Sequence, residues 1–225
     1  MKILKSIIIC LILFVSCFTF TACSSKEGGN CSFSLMENSS AYEIHQKYSL
    51  FSKTKGEVVI PSNYKNLPVT NISDFACCHD LTSVRGGTNI KTIESNAFGC
   101  RCWSSNKNVY MHLKELVFDK DSTLNSIGSQ AFFKCVALEK VVLPKNFQTF
   151  GEGVFFGCTK LKALYIYNIT PPTFTTGLHS YQLPSGQLSY SNFSGDFAIY
   201  VPSEAVEAYK NSAFGTYNIK PIEQQ

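Results

Sequence analysis

Apolar residues recur at positions 1, 4 and 6 of short segments along this chain: Leu113, Leu116 and Phe118 in LKELVF, Leu138, Val141 and Leu143 in LEKVVL, and Leu161, Leu164 and Ile166 in LKALYI. The last two of each trio fall on one side of an extended strand, because successive side chains alternate between faces. The positions between them point outward. The longer stretches IGSQAFFKCVALEKVVL, from Ile127, and FGEGVFFGCTKLKALYI, from Phe150, superimpose at an offset of 23 residues. That offset pairs Gly128 with Gly151, Phe132 with Phe155, Cys135 with Cys158 and Leu138 with Leu161. A fixed period of this size predicts a solenoid, in which one supersecondary unit is stacked because it cannot bury its own apolar face. Consecutive strands are then parallel neighbours, and the I-G-x-x-A-F segment carries the chain back, its glycine allowing a tight corner.

Upstream, EVVIPSNYKNLPVTNISDFACCHDL reads as a divergent first repeat, with Val58 and Ile60 matching Val141 and Leu143, and Ile72, Ala76 and Cys78 matching Ile127, Ala131 and Cys135. LTSVRGGTNIKTIESNAFGC restates the pattern through Leu81, Val84, Ile93, Ala97, Phe98 and Cys100. The period then stretches to 34 residues between Ala97 and Ala131, most of the excess lying in an insertion at 101–112 that carries Trp103 and Tyr110. Insertions leave a solenoid as loops on one side, and aromatic loops frequently bind ligands. Before the repeats, Phe33 to Met36 and Tyr42 to His45 flank the turn-rich ENSS and predict a hairpin that covers the open end of the stack. After Ile166, Pro171 and Pro172 end the pattern, and the Ser-, Thr-, Gly- and Tyr-rich stretch to Gly195 reads as an irregular loop. A closing strand at Ala198 to Val201 and a helix with Ser203 as N-cap and Glu204 in its first turn cover the last repeat.

Composition changes this picture little. The 225 residues are 44% hydrophobic and 16% charged, enough for one ordinary core. The net charge of +4 is scattered without runs, so no polybasic arm for nucleic acid is present in the sequence. Residues 1–22 read as a signal peptide: Lys2 and Lys5, then an apolar run from Ile7 to Phe20, then small residues. Phe20-Thr21-Ala22-Cys23 resembles the bacterial lipobox, which implies lipidation of Cys23 and a membrane anchor, with 23–31 as a polar tether. The expected organisation is then a cap hairpin at 32–55, repeats at 56–170 and a C-terminal loop and cap at 171–225.

The entrance EVVIPSNYKNLPVTNI, the copies of I-G-x-x-A-F-x-x-C-x-x-L and the exit TPPTF with IYVPSEAVEAYK together resemble the BspA-like leucine-rich-repeat family of bacterial surface proteins. The resemblance covers nearly all of the mature chain. It implies a β-rich (α+β) leucine-rich-repeat solenoid, a short right-handed stack of about four to five repeats between an N-terminal β-hairpin cap and a C-terminal strand–helix cap. It also implies a surface or periplasmic location and a role in adhesion or protein interaction, and it supplies no catalytic residues.

Seven cysteines remain once Cys10 and Cys17 leave with the signal and Cys23 is lipidated. Cys78, Cys100, Cys135 and Cys158 share one repeat position, where cysteine packs as a compact hydrophobe. Cys77-Cys78-His79 and Cys100-Arg101-Cys102 offer soft-metal ligands, but neither pair has C-x-x-C spacing, and Cys77 falls where other repeats carry Phe98 and Phe132. No metal or other cofactor is expected. A disulfide among Cys100, Cys102 and a neighbour is the alternative in an oxidising compartment. Four histidines, no G-x-S-x-G or H-E-x-x-H run and no phosphate loop leave an enzyme without a motif, a thiol-dependent one being the residual reading.

The outward strand positions carry the functional expectation. Glu115 is set opposite Lys140 and Lys114 opposite Glu139, which suits cross-strand pairing. The next row runs Arg85, Val117, Val142 and Tyr165, with Tyr167 nearby, as an apolar and aromatic stripe that is a candidate recognition patch. With Trp103 and Tyr110 in the insertion, these residues form the expected binding surface of a non-catalytic, monomeric, lipid-anchored module at the cell surface or outer membrane. Its partner would be an extracellular or envelope protein, or a glycan. A structural envelope lipoprotein facing the periplasm is the alternative.

Overall fold

Parallel strands that each bury two side chains on the same side can share a core only by stacking in register, and the chain does so. The computed structural model describes residues 31–46, 54, 56–76, 78–99, 111–174, 176–182 and 188–223. The signal segment, Cys23, the tether up to residue 30, Cys77, Cys100, Cys102, Trp103 and Tyr110 lie outside the described residues. The chain opens with a hairpin, β1 (Cys31–Leu35) and β2 (Tyr42–Gln46). The coils follow: β3 (Gly56–Ile60), β4 (Asn63–Tyr64) and β5 (Leu67–Ile72), then β6 (Leu81–Gly86) and β7 (Thr92–Ile93). Next come β8 (Glu115–Val117) with β9 (Ser126–Ile127), β10 (Lys140–Leu143) with β11 (Thr149–Phe150), and β12 (Ala163–Ile166) with β13 (Thr173–Phe174). The chain closes with β14 (Ser180–Gln182), β15 (Leu188–Tyr190), β16 (Ala198–Val201), the short helix α1 (Val206–Lys210) and β17 (Ile219–Pro221).

Each coil contributes to two sheets. The long strands form one sheet in the order β17-β16-β12-β10-β8-β6-β3, all parallel. The return segments form the second, β1-β2-β5-β7-β9-β11-β13, in which β2 of the hairpin pairs in parallel with β5. In the first sheet Val58, Val84, Leu116, Val141, Leu164 and Ile199 stand in one register row, and all six are buried. Ile72, Ile93, Ile127, Phe150 and Phe174 make the corresponding row of the second. Between the sheets the rings of Phe75, Phe98, Phe132 and Phe155 stack at successive centroid separations of 5.4, 5.2 and 5.5 Å. The backbone repeats with them: the N–H groups of Phe75, Phe98 and Phe132 donate to the carbonyls of Ala97, Ala131 and Val154 in the next coil.

This column corrects the alignment of the first repeat. Phe75, rather than Cys77, occupies the place of Phe98 and Phe132, so Ala76 follows the phenylalanine instead of preceding it as Ala131 does. The ring wins the position because it completes a stack that alanine cannot fill. The repeat glycines also act differently from the expectation. Gly128 and Gly151 are not among the residues with positive φ. They are needed for close approach, since a Cβ on Gly128 would meet the Ser95 nitrogen at 2.4 Å and one on Gly151 the Ser129 nitrogen at 2.2 Å. The tight left-handed turn is made two residues later, by Asn96, Gln130 and Gly153 at φ of 60°, 56° and 56°.

At the C-terminal end the expected irregular loop contains an antiparallel hairpin, β14 with β15. Ser203 does not cap a helix. It begins a 3-10 turn, Ser203–Ala205, whose preceding residue is Pro202, which has no side chain able to cap. Tyr209 and Phe214 are fully buried and close the core, with Val206 half-buried beside them. The last strand, β17, ends on Pro221 at the edge of the long sheet.

His179 belongs to this end cap, packed edge-on to Phe193 and Tyr217, with its Nδ1 3.1 Å from the Tyr217 hydroxyl. Burial holds its imidazolium below the ordinary histidine range. The folded state therefore takes up this proton less readily than the unfolded chain, whose value is near 6.5. Stability from this group is fully present above about pH 6.5 and falls as the pH drops through the lowered folded value. Urea midpoints measured between pH 7.5 and 5 should decline toward acid, and His179→Gln should flatten that decline. Gly151→Ala should lower the urea midpoint at every pH, the overpacking costing about 1–3 kcal/mol of unfolding free energy, or more where the Ser129 backbone cannot move.

Candidate ligand-binding face

The outward residues of the long sheet follow from the same register that fills its interior. One row runs Val59, Arg85, Val117, Val142, Tyr165, Tyr200 and Lys220 across β3, β6, β8, β10, β12, β16 and β17. It contains the four residues expected there and extends them at both ends. Tyr200 was legible, since Ala198-Ile199-Tyr200-Val201 repeats the pattern of Ala163-Leu164-Tyr165-Ile166, whereas Lys220 lies outside that repeat.

The two halves of the row differ in chemistry. At the β6 end, Arg85 is committed within the chain, its Nε 3.0 Å from Glu57 and its Nη2 2.7 Å from Glu115. Glu115 thus pairs back to Arg85, although Lys140 is its register partner. Lys140 turns the other way and places its Nζ 5.6 Å from the centre of the Tyr165 ring. A guanidinium fork binds a carboxylate better than an ammonium does, which leaves the lysine to the aromatic face.

At the β16 end, Tyr165 and Tyr200 stack with ring centroids 4.6 Å apart and planes 14° from parallel. Lys220 lies beyond, its Nζ 5.9 Å from the Tyr200 ring centre. The strand order makes this a four-part stack, Lys140, Tyr165, Tyr200, Lys220. Around it lies a groove of about 570 Å³ lined by these residues apart from Lys220 and by Val142, Tyr167, Pro221, Ile222 and Glu223. Burial first, then the neighbouring Tyr200, Tyr167 and Glu223, push the Tyr165 hydroxyl above its ordinary value, so at neutral pH it is a neutral donor. The structure therefore brings together Val142, Tyr165 and Tyr167 at a groove, leaves Val117 one strand away, and separates Arg85 into an ion-pair cluster.

Parallel, in-register coils that each contribute a long strand and a short return strand define a leucine-rich-repeat solenoid. Six copies of the BspA type leucine rich repeat region match the chain over residues 19–106, 75–176 and 105–220, and the chain belongs to that family. Among solved structures it is similar to a T. pallidum leucine rich repeat protein at 16% identity and a TM-score of 0.55, over 88% of this chain and 82% of that one. It also matches a leucine rich cell surface protein from Faecalibacterium prausnitzii A2-165 at 14% identity and a TM-score of 0.37, covering 84% of this chain and 72% of that one. The pneumococcal vaccine antigen PcpA matches at 15% identity and a TM-score of 0.42, over 92% of this chain and 66% of that one. No curated protein matches significantly.

Three of the described cysteines sit in the core. Cys78, Cys135 and Cys158 are fully buried. The Cys135 and Cys158 thiols donate to the carbonyls of Phe98 and Phe132, one coil back, at 3.4 and 3.2 Å, while Cys78 donates to the Gln46 side chain of the cap at 2.9 Å. Among the described residues no cluster of three or more His, Cys, Asp or Glu could hold a metal ion. Burial pushes the Cys158 thiol far above its ordinary value, away from the reactive thiolate. Iodoacetamide applied to the native chain should leave Cys135 and Cys158 unmodified, and guanidinium should expose both, as read by peptide mass spectrometry.

Proposed function

We propose that this chain is a non-catalytic interaction module, exported and anchored to the bacterial envelope through Cys23, that binds a protein partner with the outward face of its long sheet. The observation that carries this reading is the groove around Tyr165 and Tyr200. It is the place on that face where apolar and aromatic side chains stand half-exposed beside lysines outside the Arg85 ion-pair cluster. Interfaces are enriched in aromatic residues, and a paired tyrosine supplies large contact area with little side-chain entropy to lose. Membership of the BspA-type family supports an interaction or adhesion role. The leader and the Phe20-to-Cys23 run support export and anchoring.

A photo-crosslinking residue placed at Val142 in cells producing the full chain should capture a discrete protein in the membrane fraction. The same residue at Gln148, exposed on the return side of the coil, should not. Cys23→Ala should move the captured species to the soluble fraction. Equal capture from both positions would remove the case for this face.

A further inference from the structure

The arrangement of the stack specifies more than an aromatic surface. β10 lies on one side of β12 and β16 on the other, so Lys140 and Tyr200 approach Tyr165 from opposite sides. Tyr200 is likewise held between Tyr165 and Lys220. Both faces of both rings are therefore covered within the chain. A sugar that binds by laying its C–H face on an open ring finds none here, and the rings offer their edges and hydroxyls instead. Ammonium groups stand at the two ends of the stack. Their strands are three interstrand steps apart, which at about 4.8 Å each is roughly 14 Å.

We propose, building on the protein-binding reading above, that this groove takes an extended peptide segment of the partner, laid across the strands, with two carboxylates four residues apart, which puts both on one face. An extended chain advances about 3.3 Å per residue, so that spacing brings one carboxylate to each lysine. The residues between would pass over the tyrosine edges and the Val142 and Ile222 side chains that line the groove. Charge complementarity selects this occupant: Lys140 and Lys220 are the two cations that flank the tyrosine pair, and Glu223 is the single carboxylate lining the groove. Glu223 opposes an acidic ligand, and this gives the assignment a second, opposite sign to test.

The test is fluorescence anisotropy with the detergent-solubilised full chain and a labelled octapeptide carrying two aspartates four residues apart, with a Leu and a Val between them. Its counterpart has two lysines in their place, and maltohexaose is the sugar control. The aspartate peptide should bind about 5- to 30-fold more tightly than the lysine peptide at low salt, the range for two exposed charge pairs whose sign is reversed. Lys140→Gln with Lys220→Gln should erase that preference, and Glu223→Gln should strengthen aspartate-peptide binding, with circular dichroism unchanged in each. Equal affinity for the two peptides, preference for maltohexaose, absence of peptide binding, or variants without effect would overturn the peptide assignment. The protein-binding reading stands or falls separately, on whether the Val142 position captures a protein in cells.

Discussion

The structure depends on one constraint: every coil must place the same atoms at the same height as the coil before it. The phenylalanine column makes this visible. Rings at 5.2 to 5.5 Å leave no slack for a coil that is rotated or displaced, and the Phe N–H groups that bond the next coil fix the same register in the backbone. Gly128 and Gly151 serve this constraint by allowing one coil's backbone to lie against the next. The buried thiols serve it as well, by returning a hydrogen bond to the phenylalanine carbonyl one coil back. Conspicuous repeat residues are thereby consumed by stacking, and chemistry is displaced to the positions between them.

Much of the fold was legible because a period of 23 residues constrains both faces of a strand at once. The 1, 4 and 6 positions placed the interior rows correctly, and the outward row through Arg85, Val117, Val142 and Tyr165 followed without further information. The first repeat was misaligned at Phe75 because matching Ile72 to Ile127 and Ala76 to Ala131 put Cys77 in the place of the ring, whereas Cys78 set against Cys135 brings Phe75 opposite Phe132 and completes the stack. The hairpin β14–β15 was hidden by Ser, Thr, Gly and Tyr, which carry little hydrophobic period.

The candidate site was less legible, for a physical reason. Which carboxylate meets which cation depends on side-chain reach, and opposite-charge register alone set Glu115 against Lys140. The guanidinium of Arg85 reaches Glu57 and Glu115 together, and that choice frees Lys140 to lie against Tyr165. Tyr200 and Lys220 come from the closing unit, where the repeat has decayed into a cap, so a search for further copies stops two strands early. The groove thus arises where the periodic part of the chain meets its non-periodic end.

Pro221 draws out what this location means for how such a chain can change in length. A proline in the edge strand withholds a donor from any strand added beyond it, so the stack is closed on that side. New coils can enter only upstream. A duplication between β6 and β10 would lengthen the molecule and leave the tyrosine pair untouched, whereas one between β12 and β16 would part Tyr165 from Tyr200 by a whole strand. Growth is therefore neutral to the groove on one side and destructive on the other, and repeat number can drift among chains of this architecture while the terminal surface is inherited intact.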